Sequence, residues 1–206
     1  MSLIIGLSGV AGAGKDLFFS LLKKSLAKNK INVCRLALAD GLKSELSSHI
    51  LKLYGVNIFE CDRETKNLYR PFLVFHGELK RKLSNGRHWI DKISQRVNSQ
   101  AKNKIYCITD IRYAGNELAW LRTEKNGILV HISQYSIENG EKIFKSPPNK
   151  EEAENDPILK KEANYRIEWK NIKGSQDIVE ETLSKYIEDF TAWLKENESH
   201  RLRFND

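Results

Sequence analysis

Gly9–Asp16 reads GVAGAGKD and fits the pattern G-x-x-x-x-G-K, with Asp16 where Ser or Thr usually follows. The run ahead of it, Leu3–Leu7, is short and apolar in the manner of a buried strand. Leu17–Ala27 behind it carries apolar residues at helical spacing. Strand, glycine turn and helix in that order predict a cradle for an anion. Backbone N–H groups after Gly9, through Ala11, Gly12, Ala13 and Gly14, curl around it, the helix adds the positive end of its dipole, and Lys15 adds a full charge. An ordinary glycine turn before a helix is the plainer alternative, and the flanking strand and helix tell against it.

At 206 residues, 40% of them hydrophobic, the chain can bury one good core and fits one domain with insertions. No stretch approaches the roughly 18 apolar residues of a membrane span. The N-terminus has no basic segment ahead of a signal-like run, so the cytoplasm is the expected compartment. Cys34, Cys61 and Cys107 are isolated and odd in number, which argues against a disulfide framework and against a CxxC metal or redox site. The net charge of +7 is unevenly placed: Arg63–Lys104 holds eleven Lys and Arg against three Asp and Glu. Such a segment suits nucleic acid, a small phosphorylated substrate or solvent alone, and charge does not choose among them.

Ile31–Ala39 reads as a second strand closed by Asp40-Gly41. Leu42–Leu53 then resumes helical spacing with Leu42, Leu46, Ile50 and Leu53 on one face; Lys43, near its start, is placed for a phosphate or for solvent. Tyr54–Tyr69 is polar and irregular. A helix-like stretch at Gly77–Leu83 follows, then a turn at Asn85-Gly86, then a helix through about Gln100 that buries Ile90, Ile93 and Val97. In this block Arg70, Arg81 and Arg87 can fork onto phosphate oxygens while Phe72, Phe75 or Trp89 offers a flat wall for a base. The alternative is a basic surface with its aromatics turned into the core.

Lys104–Thr109 is a further strand, ending in Asp110-Ile111-Arg112. In open α/β sheets ligands bind beyond the carboxyl ends of the strands, so Asp110 and Arg112 are expected to face the crevice of the glycine loop. A helix N-cap is the other use for Asp110, since Asn116–Arg122 looks helical. Gly127–Ser133 makes another strand, in which His131 is read as structural rather than as a base. Ser136–Asn164, with Gly140, Pro147-Pro148 and an acidic patch over Glu151–Asp156, reads as a mobile excursion. Tyr165–Trp169 is a last strand, Asn171–Ser175 a turn, and Gln176–Glu196 an amphipathic helix with a stripe from Ile178 and Val179 to Trp193 and Leu194. His200–Asp206 is a polar tail, and there is no internal repeat.

The loop's GKD, LADGLK at Leu38–Lys43, the R-x-x-x-x-x-x-G block at Arg70–Gly77, Trp89 and TDIRYAGNE at Thr109–Glu117 together resemble the phage-type deoxynucleoside monophosphate kinases, in order through nearly the whole chain. The resemblance implies an α/β P-loop NTPase three-layer sandwich with a parallel sheet, as a single domain over 1–206. It implies a helical substrate-binding insertion around 45–100 and a lid around 136–164. ATP is then the phosphoryl donor, with Mg²⁺, and a deoxynucleoside 5′-monophosphate the acceptor. Gly9, Ala11–Asp16 and Asn171 would serve ATP; Lys43, Arg70, Phe72, Arg81, Trp89 and Arg112 would serve the acceptor. Lys15, Asp110 and Arg112 would act in catalysis, and Asp16 and Asp110 near the metal. A homodimer is allowed; neither a membrane nor nucleic acid is expected as a partner.

Two features depart from that pattern. Leu17 stands where some relatives have Thr or Ser, which shifts the metal toward Asp110 or an indirect contact. Thr123–Tyr165 contains no arginine, although such lids commonly supply one to the transferring phosphoryl group. Lys142, Lys145 or Lys150 is the substitute, as a point charge without a fork, and Arg166 is the nearest arginine downstream. Two other readings of the residues are a kinase for another small phosphate acceptor, such as phosphomevalonate, and a nucleic-acid-binding P-loop module.

Overall fold

The computed structural model describes residues 2–97, 103–172 and 174–204. The chain separates into two compact units, Met1–Arg35 with Asn98–Asp206, and Leu36–Val97.

The first unit is built on a sheet of strands β1 (Leu3–Ser8), β2 (Asn32–Leu36), β3 (Lys104–Ile108), β4 (Ile128–Glu138), β5 (Glu141–Phe144) and β6 (Tyr165–Lys170). Their order is β2-β3-β1-β4-β5, with β6 also on β4. β1 runs parallel to β3 and β4, β6 runs parallel to β4, and β4 and β5 form an antiparallel hairpin. Every residue of β1 is buried, as a parallel strand covered on both faces requires. Leu3, Ile5 and Leu7 pack with Phe18, Leu22 and Leu26 of α1 (Lys15–Ala27) and with Phe190 and Leu194 of α7 (Gln176–Glu198). On the other face Gly6 lies so close beneath Leu121 that a Cβ would come within 2.6 Å of its Cδ2. That approach brings in α5 (Asn116–Ala119) and the π-helical turn Trp120–Glu124 that continues it. Helices on both faces of a mostly parallel sheet, with a glycine loop leaving its central strand, make this a three-layer α/β fold with the loop in the P-loop position.

Two boundaries differ from the sequence expectation. β2 stops at Leu36, and an extended Ala37 caps α2 (Leu38–Tyr54), so Asp40-Gly41 lies in the first turn of a helix and not at a strand end. The apolar run around Leu36–Ala39 suits strand or helix equally, and packing of Leu38, Leu46 and Ile50 decides for the helix. The segment Ser136–Asn164, expected as a mobile excursion, is built largely of regular elements. β4 continues to Glu138 and turns at Asn139-Gly140, with φ of 51° and 84°, into β5. After the two prolines comes α6 (Lys150–Glu162), whose N-cap Asn149 accepts from the N–H of Glu152 and whose Leu159 is buried. Asn126-Gly127 and Asn85-Gly86 make two more turns of the same asparagine-glycine kind, each with a left-handed asparagine.

The second unit holds α2, α3 (Arg63–Leu83) and α4 (His88–Arg96). Leu46, Ile50 and Ile58 are its buried cluster, with Leu42, Tyr69 and Leu73 against it; Leu53, expected on that face, is 69% exposed. The irregular stretch expected over Tyr54–Tyr69 ends early, because Asp62 accepts from the N–H of Thr65 and starts a 21-residue helix that runs through Pro71. Ile90 and Ile93 of α4 are buried as expected and Val97 is half-buried; the continuation expected to Gln100 enters residues 98–100, outside the described residues. The same holds for position 173 in the turn before α7 and for 205–206 of the tail. In α7 Leu183, Ile187, Phe190 and Leu194 are buried, whereas Ile178 is 52% exposed. Among the described residues no helix is long and apolar enough to cross a membrane.

Candidate functional site

The glycine loop is held against the sheet by contacts that leave no room for side chains. Gly9 has φ 125°, and a Cβ there would collide with the backbone oxygen of Ile132 in β4. Gly14 has φ 96°, and a Cβ would stand 2.5 Å from the Trp169 ring. That indole, buried in β6, donates from Nε1 to the Ala13 carbonyl at 2.9 Å, and Ala13 N–H closes onto the Val10 carbonyl at 3.0 Å. Lys15 opens α1 and folds back, its Nζ donating to the carbonyls of Gly9 and Val10. Burial holds its pKa below the usual lysine value and the charge of Arg112 adds to the effect, while Glu152, Asp110 and Asp156 pull the other way. A lysine so placed gains most from an added anion.

Because β1 and β3 are neighbours, with Gly6 opposite Ile108, the turn after β3 lies beside the loop after β1. Ile111 N–H donates to the Leu7 carbonyl at 3.0 Å. Buried Glu117 accepts from the N–H groups of Arg112 and Tyr113 at 2.7 and 3.1 Å, which fixes the turn that carries Asp110 and Arg112. The helix N-cap is Gly115, so Asp110 is not used as a cap. Asp110 is half-buried and its charge reaches Lys15.

Helix α6 closes the arrangement. Glu152, 8% exposed, accepts from Ala11 N–H of the loop at 2.9 Å through Oε2 and from Arg112 Nη1 at 3.1 Å through Oε1. One turn on, Asp156 pairs with Nε2 of buried His131 at 3.0 Å. Tyr113 and Ala114 donate to Glu151 and Asn155. Between Gly9, Arg112, Glu152 and Asp156 remains a cavity of about 10 Å³, the size of a single water. Of the three lysines expected to substitute for a lid arginine, Lys145 donates to the Gly12 carbonyl at 3.3 Å. Lys142 lies between Glu168 and the Tyr135 ring, and Lys150 faces solvent beside Glu154. Arg166 is spent on the carbonyls of Lys160 and Lys161.

The residues expected at a metal separate. Asp16 is 82% exposed at its side chain and turns to Arg35 Nε at 3.6 Å; Asp110 stands with Lys15. Among the described residues no group of three or more His, Cys, Asp and Glu is arranged for a metal. A magnesium ion held mainly by phosphate oxygens and water needs only one or two carboxylates, and Asp110 fits that role. Asn171 N–H donates to the Tyr135 carbonyl at 2.7 Å, leaving its side chain exposed at the end of β6.

No family model and no curated protein matched this chain. Among solved structures, a shikimate kinase from Acinetobacter baumannii in complex with shikimate aligns over 92% of this chain and 95% of its own, at 13% identity and a TM-score of 0.43.

In the second unit the expected acceptor residues fall into different settings. Trp89 is 2% exposed, donates to the Gly77 carbonyl at 3.2 Å and takes the His88 ring edge-on, so it is core and not an open wall for a base. Phe72 and Phe75 remain exposed, at 47% and 63%. Arg70 is exposed, Arg81 half-buried, and Lys43 lies 6.0 Å from the Phe59 ring. A cavity of about 250 Å³ opens between α2 and α4, lined among others by Gly41, Ser44, Trp89, Lys92, Gln95 and Arg96. Beside it Glu45 receives His76, His88 and Lys92 at 2.8, 2.6 and 2.7 Å. Burial alone would raise the Glu45 carboxyl, yet these hydrogen bonds bring it down to about 2.

Sequence reasoning passed over Glu45, Glu117, Glu152 and Trp169. Glu117 stood inside the quoted TDIRYAGNE, with only its position to mark it. Glu152 is one of several carboxylates in an acidic patch, and nothing short of the packing of α6 singles it out.

Proposed function

We propose that this protein is a nucleotide kinase that moves the γ-phosphoryl group of ATP onto a deoxynucleoside 5′-monophosphate, giving the diphosphate and ADP. The observation that carries the reading is the convergence, at the carboxyl ends of the adjacent strands β1 and β3, of the closed glycine loop and Lys15 with the Asp110 carboxylate and the Arg112 guanidinium. Such an array suits phosphoryl transfer, in which positioning and charge neutralisation do the catalysis and no covalent nucleophile is needed.

Gly9 and Gly12–Asp16 would hold the β- and γ-phosphates, with Ala11 shaping the loop beside them while its N–H stays on Glu152, and Asn171 would lie toward the adenine. Asp110, and Asp16 as a more distant second carboxylate now turned to Arg35, would hold Mg²⁺, which would supply charge neutralisation to the phosphates. Arg112 would face the transferring group. The second unit would serve as the acceptor-binding insertion, with Lys43, Arg70 and Arg81 for the monophosphate and Phe72 for the base. Residues 136–164 would form the lid, bringing Lys145 to the phosphates, and water excluded there could not divert transfer into hydrolysis. The cytoplasm is the compartment this chemistry suits.

A coupled ADP-release screen across all deoxynucleoside and ribonucleoside monophosphates tests the reading. Turnover with one or more deoxynucleotides is expected. Lys15→Ala should lower that turnover by roughly 10²-fold or more, as loss of a preorganised electrostatic contact does, with the thermal unfolding midpoint little changed. No ADP release with any monophosphate, or wild-type turnover by Lys15→Ala, would rule the assignment out.

A further inference from the structure

We infer that Glu152 is a positioning residue, which aims Arg112 at the terminal phosphoryl group by holding the guanidinium and the glycine loop with the two oxygens of one carboxylate. The inference rests on the nucleotide reading given above. Its basis is a three-way contact: Ala11 N–H on Oε2 at 2.9 Å, Arg112 Nη1 on Oε1 at 3.1 Å, and the Glu152 N–H itself capped by Asn149 at 2.8 Å. The carboxylate is thereby fixed at both ends. Its side chain is 10% exposed while that of Arg112 is 47% exposed. The buried partner is the anchor, and the arginine keeps a free flank for a ligand.

The position within the loop separates a brace from a plug. Glu152 takes the N–H of Ala11, upstream of the Gly14, Lys15 and Asp16 N–H groups that open α1 and present its positive dipole end. Its hydrogen bonds go to Ala11 and Arg112 and not to Lys15, whose Nζ rests on loop carbonyls and feels the Glu152 charge only through space. A flexible arginine left alone would spread over many rotamers, and ordering it beforehand removes that cost from the bound state. The rest of α6 supports the setting: Asp156 is tied to His131, and Asn155 to Ala114 in the Arg112 turn.

Calorimetric titration of MgATP and MgADP into wild type, Glu152→Gln, Arg112→Gln and the double variant tests this. Glu152→Gln keeps an acceptor for Ala11 N–H and loses the charge that holds Arg112. We expect its ATP affinity to fall about tenfold with ADP affinity held within about twofold, since a hydrogen-bonded charge directed at the terminal phosphate alone has been released. Arg112→Gln should show the same split, and the double variant should be no weaker than Arg112→Gln, because two residues acting through one contact do not add. Equal loss of ATP and ADP affinity in Glu152→Gln would reduce Glu152 to a structural brace and overturn the inference, as would unchanged affinities or full additivity in the double variant. If Glu152→Gln does not fold, Arg112→Gln decides: wild-type discrimination between ATP and ADP there overturns it. Wild type that binds neither nucleotide overturns the nucleotide reading itself, an outcome distinct from all of these.

Discussion

Lys145 reaches the glycine loop from the β4–β5 arm, donating to the Gly12 carbonyl, and on the proposed reading it is the cation that replaces a lid arginine. An arginine that completes the charge clamp on a transferring phosphoryl group is worth about 10³-fold or more; a lysine supplies the charge without the fork. Lys145→Ala should therefore lower kcat by about tenfold or more with the KM of both substrates nearly unchanged, the signature of a contact made in the transition state. Lys142→Ala and Lys150→Ala should stay near wild type in the same steady-state assay, since Glu168 and Tyr135 hold the one and solvent surrounds the other. Three silent variants would leave Arg112 as the remaining source of that charge. At this scale the sequence spoke where chemistry is tied to backbone geometry. The spacing of Gly9, Gly14 and Lys15 is set by the loop, and Asp110 and Arg112 follow a strand that ends beside it. Glu152 was silent because its partners lie at Ala11 and Arg112, far away along the chain.

The helices of the second unit are joined by one carboxylate. Glu45 of α2 holds His76 of α3 and His88 and Lys92 of α4, and its pKa lies near 2 instead of the ordinary 4.5. A carboxyl depressed in the folded state stabilises that state above its unfolded pKa, and the contribution is lost as pH falls toward the folded value. Wild type should exceed Glu45→Gln in unfolding free energy by about 1–2 kcal/mol at pH 7, less than the full shift because its partners keep contact with solvent, and the margin should shrink as pH falls from about 4.5 toward 2. Denaturant titrations of both proteins at a series of pH values measure it; a margin independent of pH would mean packing, not charge, joins the helices. The existence of α1, α2, α4 and α7 was legible from periodicity, whereas α6 and most of α3 were not. Pro71 and the polar run before it hid α3, whose start is set by the Asp62 cap, and α6 was hidden because it buries little beyond Glu152 and Leu159. Both cases place tertiary contacts above local pattern.

In the molecule as a whole, every strand of the first unit except β5 was legible as an apolar or alternating run; what no run could reveal is their order. Pairing of β1 with both β3 and β4 follows from crossovers through helices, and it is this order that sets the loop beside Asp110. The three asparagine-glycine turns also give the protein a clock. Asparagine ages by attack of the next residue's backbone nitrogen on its side-chain carbonyl, with loss of ammonia, and a glycine in second place hinders that attack least. Gly86 and Gly127 spend their N–H groups on the carbonyls of Arg81 and Leu121, at 2.8 and 2.7 Å, which restrains the nitrogen. Asn139-Gly140 sits at the exposed tip of the β4–β5 hairpin, on the arm that carries Lys145. Peptide mapping by mass spectrometry after prolonged storage at mildly alkaline pH should find deamidation at Asn139 well ahead of Asn85 and Asn126. Each aged molecule then bears a new carboxylate on the arm that carries Lys145, so an old preparation is a mixture of two charge states.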